Sequence, residues 1–391
     1  MKAILGDRSL FPDLSWSVYL NHAAISPPSL PVLQAAAAVS QAYASQGVTA
    51  FPVWMESREV LRGKLARLIS AQPEDIALTA NTTAGVISVA NCFPWKRGDG
   101  VVVFSGEFPT NVTPWQQAAR SFDLRLTSLP LSGFGDGSGV GLARLEDALK
   151  GGVALVAVSA VQFQTGLRMP IKAMADLAHR YGAQLFVDGI QAVGAIPVDA
   201  RDVDYLAVGS HKWLMGIEGC GFLYVHPDRI GALVPRMAGW LSHEDGIGFL
   251  FEGAGHLKYD RPIRRRADFL EAGAYNSAGF QALLASVSLL EHIGVTAISA
   301  HITAYLDVLE AGLLAQGFTS LRAADPAARS GILSMLPPEG VDLISLAEDI
   351  NARSIGVTTP DGRLRFSPHW PNSRDEIPVV LAATEAALRS P

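Results

Sequence analysis

The sequence predicts an α/β protein: a large domain with a mainly parallel central sheet flanked by helices, plus a smaller C-terminal α/β domain. Three observations carry this. Between about residues 60 and 225, short and nearly continuous apolar runs alternate with segments of helical period, the pattern of strands buried on both faces and joined through helices. After about residue 280, two long helical segments are followed by isolated strand-like pieces. The 391 residues exceed one ordinary core, and 49% hydrophobic against 17% charged residues gives a well-buried chain rather than a disordered one.

The elements follow in order. Leu30 to Gln46, with its Ala35–Ala38 run, reads as a helix, and so does VLRGKLARLIS, whose apolar positions lie three and four apart. Ile76 to Thr79 reads as a short strand. Thr82 to Asn91 reads as a helix entered through Asn81-Thr82-Thr83, which are good capping residues. VVVFS (101–105) and VALVAVSAV (153–161) read as buried strands. A helix between Met169 and Tyr181 opens on Pro170. AQLFVDG (183–189), DYLAVGSHKW (204–213) and GCGFLYVHP (219–227) complete the strands of the large domain. Helices at 278–293 and 297–316, strands at 331–336 and 362–367, and a helix at 374–388 form the rest. The expected division is 17–260 for the large domain, 1–16 with 278–391 for the small one, and 231–277 as an irregular connecting and dimer-contact region.

Composition excludes several classes. The net charge of −6 is mild, and the one basic run, Arg261 to Arg266, reads as a solvated or partner-facing loop, so nucleic acid is not an expected partner. Cys92 and Cys220 are far apart and make no disulfide framework, which points to a reducing, cytoplasmic location. The N-terminal apolar character breaks at Gly6-Asp7-Arg8, so no signal peptide is expected, and no run of about 18 apolar residues suggests a membrane span. There is no G-x-G-x-x-G after an early strand. His243-Glu244-Asp245 reads as a solvated turn, and no metal is expected.

Ligands of open α/β sheets bind beyond the carboxyl ends of the strands. Here Asp188 follows Leu185-Phe186-Val187. Ser210, His211 and Lys212 follow Leu206 to Gly209. Thr82 and Thr83 follow Ile76 to Thr79, and Phe108 and Thr110 follow VVVFS. Taken singly each has an ordinary explanation: a strand-end lysine is usually a solvated charge, a strand-end aspartate often a turn residue.

Their order is more specific. FVDGIQAVGAIPVD followed by DYLAVGSHKWLMGIEGCGFLYV closely resembles the class V, cysteine desulfurase-like branch of fold-type I enzymes dependent on pyridoxal 5′-phosphate (PLP). The resemblance runs from YLNHAAISPPS (19–29) through TANTTAGVISVAN (79–91), GEFPTNVTPW (106–115) and EAGAYNSAG (271–279) to RLRFSPHWPNSRDEI (363–377). HKW and EFPTN are similar to isopenicillin N epimerase-like and lyase-like members.

The resemblance implies roles. Lys212 is the Schiff-base lysine and base, and Asp188 pairs with the pyridine nitrogen; with His211 they form the catalytic group. Gln191 hydrogen-bonds the phenolic oxygen or the imine region. Thr82, Thr83, Ser210 and His211 hold the phosphate at a helix N-terminus, with Asn276 as a further contact. Phe108 stacks on the cofactor ring. Arg365 clamps the substrate α-carboxylate, with His22 and Ala23 also lining the substrate.

Three departures bear on the reaction. Desulfurases of the family carry a mobile cysteine in the loop before the carboxylate-binding arginine; ARSIGVTTPDGRLR (352–365) has none, which disfavours persulfide formation. EAGAYN has Ala274 and Tyr275 where the family often has a threonine reaching the neighbouring subunit's phosphate, though the loop still argues for a homodimer. Phe163, flanked by Gln162 and Gln164, replaces an asparagine beside the phenolic oxygen, leaving open which glutamine substitutes. The expectation is therefore an enzyme acting at the Cα of a small amino acid through an external aldimine, with an aminotransferase-type reaction favoured. The alternatives are a C–S or C–C lyase (β-elimination, selenocysteine lyase-like) and an epimerase. Retention of Lys212, Asp188 and Arg365 argues against a non-catalytic relative.

Overall fold

The computed structural model describes residues 3–274 and 276–389. Tyr275 and the extreme terminal residues of the expected small domain (1, 2, 390 and 391) lie outside them. The strands are β1 (Val18–Tyr19), β2 (Ile76–Thr79), β3 (Gly100–Phe104), β4 (Arg125–Leu129), β5 (Val153–Ser159) and β6 (Gln184–Asp188). They continue as β7 (Tyr205–Gly209), β8 (Gly221–Val225), β9 (Thr319–Ser320), β10 (Leu333–Leu336), β11 (Ile355–Gly356) and β12 (Leu364–Phe366). The central sheet has the order β2-β8-β7-β6-β5-β3-β4, with β8 antiparallel to both neighbours and the other pairs parallel. A smaller antiparallel sheet runs β12-β10-β9, and β1 pairs with β11 in parallel.

The apolar runs are continuous because each strand feeds two cores. Val102, Phe104, Val156, Val158, Leu185, Val187, Leu206 and Val208 face one. That core is covered by α5 (Val140–Leu149) and α6 (Ile171–Arg180), through Leu145, Leu149, Met174 and Leu177. Val101, Val103, Leu155, Ala157, Phe186 and Ala207 face the other. Val86 and Val89 of α3 (Thr82–Cys92) and Trp115 and Ala118 of α4 (Thr113–Phe122) close it. Alternate residues pointing to opposite faces is the period-2 geometry of a strand with both faces buried.

The elements that differ from the expectation include the following. β8 runs antiparallel because residues 210–220 return directly instead of through a crossover helix, and only an antiparallel neighbour is reachable that way. β4 is an edge strand whose residues Arg125–Ser128 are exposed or half-exposed, so its sequence lacks the apolar run of the buried strands. The helix Leu343–Ala352 buries only Leu346, Ala347 and Ile350 and also carries no strong sequence signal.

The helix Val295–Ala315 is long and apolar enough to cross a membrane by length and composition alone. Its buried residues Ile298, Ile302, Tyr305, Leu306, Leu309 and Leu313 fall three and four apart, and its Asp307 and Glu310 pair with Arg322. This is the pattern of a helix packed on one face against a protein core.

Candidate active site

The carboxyl ends of β3, β5, β6 and β7 and the start of α3 converge. Asp188, the last residue of β6, is 2% exposed and accepts a hydrogen bond from the Ile190 amide (3.0 Å). Burial pushes its carboxyl up to about 6, against the Ile190 bond and the Lys212 charge. Lys212 is partly buried, with Nζ 5.3 Å from the centre of the Phe108 ring. Burial lowers its ammonium to about 8; Asp188 opposes the shift and Arg365 adds to it. Phe108 is 44% exposed and stands edge-on to Phe163 at 5.3 Å.

The opening turn of α3 lies against β7: a Cβ built on Gly209 would come within 3.0 Å of Thr82 Oγ1. A larger residue at Gly209 would crowd the Thr82 hydroxyl, so the helix start packs close to the strand that leads into Lys212. Asn81 caps the helix by accepting from the Ala84 amide (2.8 Å). The Thr82 hydroxyl is buried without a hydrogen-bond partner, and Thr83 Oγ1 pairs with Thr110 Oγ1 at 2.8 Å. First-turn N–H groups have no intrahelical acceptors, so this corner offers donors to an anion. The His211 imidazole is held low by burial and then by the Lys212 charge, and its backbone carbonyl accepts from Ser26 (2.8 Å).

Arg365, on β12, is 4% exposed. Nη1 donates to the Phe163 carbonyl (2.9 Å), Nη2 to Thr358 Oγ1 (3.3 Å), and Nε is buried without a partner. Among the described residues no carboxylate pairs with it, and burial lowers it to about 10. A buried guanidinium without a counter-ion is costly, and an anion bound beside it would offset that cost.

Several residues have other partners than the sequence reading gave them. The Ser210 hydroxyl donates to the Ile217 carbonyl, lies 3.0 Å from Cys220 Sγ and is fully buried inside the 210–220 return. Asn276 caps the helix Ser277–Ile293, accepting from Gly279 N (3.0 Å) and donating to the Gly219 carbonyl (2.8 Å), so both ends of its amide serve the backbone. His22 is buried with Nδ1 on Ser26 Oγ (2.7 Å), and Ser26 donates to the Lys212 carbonyl (2.6 Å), so His22 braces the lysine loop. Ala23 is buried, its carbonyl accepting from Gln191 Nε2 (2.9 Å) and its amide donating to Ser367 Oγ (3.0 Å). Gln191 also accepts from Trp213 Nε1 (2.7 Å), leaving one amide hydrogen uncommitted. Gln164 pairs with Asp361 (2.7 Å), whereas Gln162 is buried with Oε1 unpartnered, so Gln162 is the glutamine turned into the protein.

Glu107 was not singled out from the sequence. It is 8% exposed and accepts from the Ser159 amide (2.7 Å), the Ser159 hydroxyl and Gln162 Nε2 (3.0 Å). Burial pushes it up to about 7, against these bonds, with the Asp188 charge adding a smaller rise. The signal was a carboxylate directly after a buried strand and next to Phe108.

The sequence profile described as Aminotransferase class-V matches residues 18–364. The chain belongs to the class-V aminotransferase family. This class-V chain is 30% identical over 397 residues to a protein of Methanothermobacter thermautotrophicus named "Probable cysteine desulfurase", covering 95% of each. It is 28% identical over 373 residues to an uncharacterized aminotransferase of Bacillus subtilis, covering 95% of this chain and 94% of that one. Its fold matches an apo cysteine desulfurase from Thermococcus onnurineus NA1 (TM-score 0.81, 25% identity, 94% of each chain). It also matches the cystine C–S lyase C-DES in complex with cysteine persulfide (TM-score 0.87, 23% identity, 96% of this chain and 99% of that one). Class-V aminotransferases use PLP, and the chain is an enzyme of that class, transferase or lyase.

Proposed function

We propose that this enzyme releases a sulfur-bearing group from the β-carbon of a small amino acid without passing the sulfur to a cysteine of its own. The carrying observation is the chemistry next to Arg365. The stretch Val357–Arg363, between β11 and β12, contains no thiol. The two cysteines, Cys92 and Cys220, are buried, and burial raises both thiols, Cys220 to about 11. Relatives at about this similarity carry cysteine desulfurase names, which moves the weight from transamination to C–S chemistry.

The residues fit PLP: an unpartnered buried Thr82 hydroxyl at a helix N-terminus, a buried Asp188, an exposed Phe108 ring and a lysine of lowered pKa. Thr82, Thr83, the first-turn amides of α3 and His211 would hold its phosphate, Asp188 its ring nitrogen, Phe108 its ring face and Lys212 its aldehyde carbon. When bound, it supplies the electron sink for the pair left by a departing Cα proton. Arg365 binds the substrate carboxylate through its free donors. Lys212 takes the Cα proton at Nζ, and its depressed pKa lets it act as a base near neutral pH. We propose further that 17–260 form the cofactor-binding unit and 1–16 with 278–391 the smaller one. A homodimer working in the reducing cytoplasm accords with the two free thiols.

Incubating holoenzyme with L-cysteine or L-cystine without a keto-acid acceptor tests the reaction. The expected products are pyruvate and ammonia in equal amounts, with sulfide from cysteine or cysteine persulfide from cystine, one water being consumed. Alanine with sulfur bound to protein, or stoichiometric keto acid with pyridoxamine phosphate and no sulfur release, contradicts the proposal.

A further inference from the structure

The turn after β5 ties the two halves of the site together. At its start, Gln162 is 2% exposed and its Nε2 donates to Glu107. The next residue, Phe163, offers its carbonyl to Arg365 Nη1 (2.9 Å) and its ring to Phe108. The turn closes on itself through Gly166 N to the Gln162 carbonyl and Gln162 N to the Leu167 carbonyl, both 2.9 Å. Its far side is held by β10 and the segment before it: Ser334 Oγ donates to the Gln164 carbonyl (2.5 Å) and Ser330 Oγ to the Gly166 carbonyl (2.6 Å). Its near side is held by Glu107, itself fixed to the Ser159 amide, and Ser159 lies opposite Asp188 in the β5–β6 register.

We propose that Glu107 is a positioning residue that sets Arg365 relative to Lys212 by holding the Gln162–Phe163 turn against the central sheet. Glu107 accepts from the Gln162 amide, and the Gln162 oxygen is left without a partner. Without Glu107, the turn keeps its far-side anchors but loses its tie to the strand beside Asp188. The Phe163 carbonyl, and with it the guanidinium, is then free to drift from the lysine. Orientation lost by a fraction of an ångström is felt at a bidentate contact. The effect falls on ligands carrying a carboxylate and spares those that carry only an amine.

This inference rests on Arg365 being the carboxylate clamp, and the test separates the two. Loaded enzyme is titrated with L-alanine and with methylamine, following its visible absorbance, for wild type, E107A, E107Q, Q162A and R365A. E107A and Q162A are expected to weaken L-alanine binding at least about tenfold and to leave methylamine within about twofold. The E107A/Q162A double variant should be no worse than the singles, and E107Q, which keeps the acceptor, should restore binding. Equal weakening of both probes, or no change in either, overturns the role of Glu107 while R365A still weakens alanine selectively. If R365A itself leaves alanine binding unchanged, the clamp reading fails. Should E107A not fold, Q162A alone must show the alanine-selective loss or the inference is wrong.

Discussion

Asp188 is coupled by charge to both Lys212 and Glu107, and burial moves each of the three toward its neutral form: the lysine down to about 8, the carboxyls up to about 6 and 7. The carboxyl shifts have a consequence for the cofactor-free protein. Glu107 has its folded pKa above the unfolded value of 4.5, so the folded state binds the extra proton between about pH 4.5 and 7. The stability linked to that proton is fully present below the unfolded value and is lost as pH rises through about 7. Urea unfolding of wild type and E107Q without cofactor, at pH 5 and at pH 8, is therefore expected to diverge. Wild type loses more stability than the variant on going to pH 8, by at most about 3 kcal/mol. Parallel losses would mean that Glu107 is ionised throughout. Glu107 was overlooked in the sequence for a physical reason: a carboxylate one residue past an exposed turn reads as solvated. The groups that bury it, Ser159 and Gln162, lie 52 and 55 residues on.

At the scale of elements, the strands and their terminal residues were legible because burial on both faces writes a continuous apolar run, as in β3, β5, β6 and β7. The direction of β8 was not, because VVVFS-like composition is the same in either orientation; the return through 210–220 decides it, and that return also buries the Ser210 hydroxyl. EAGAYN illustrates a second limit. Its glutamate is an anchor: Glu271, 6% exposed, accepts from Arg58, from Arg62 (2.6 Å) and from the Leu78 amide (2.7 Å), fastening the segment before Ser277–Ile293 to β2. Removing one partner of a buried ion cluster leaves the others desolvated and unpaired. E271A is expected to lose about 3–5 kcal/mol in chemical denaturation, with the surface variant E291A, whose partners Lys64 and Arg67 are more exposed, losing under about 1 kcal/mol. Similar losses for both would show that the Glu271 cluster is not structural.

Across the whole molecule, the site is assembled from segments near residues 82, 107, 162, 188, 212 and 365. The strand-end placement of Asp188, Lys212, Thr82 and Phe108 follows from local pattern. The convergence of Arg365 depends on the small sheet packing its β12 against the turn after β5, a contact 202 residues apart in sequence that no local period encodes. The partners of the Ser210 hydroxyl, the Asn276 amide and the His22 ring likewise depend on tertiary context that no local period encodes. The account stands on Lys212 as the residue that carries PLP. Borohydride reduction of the yellow holoenzyme followed by proteolysis and mass mapping measures this directly. The predicted result is one reduced pyridoxyl group, on the peptide containing Lys212; the same label on any other lysine, with Lys212 unmodified, would contradict it.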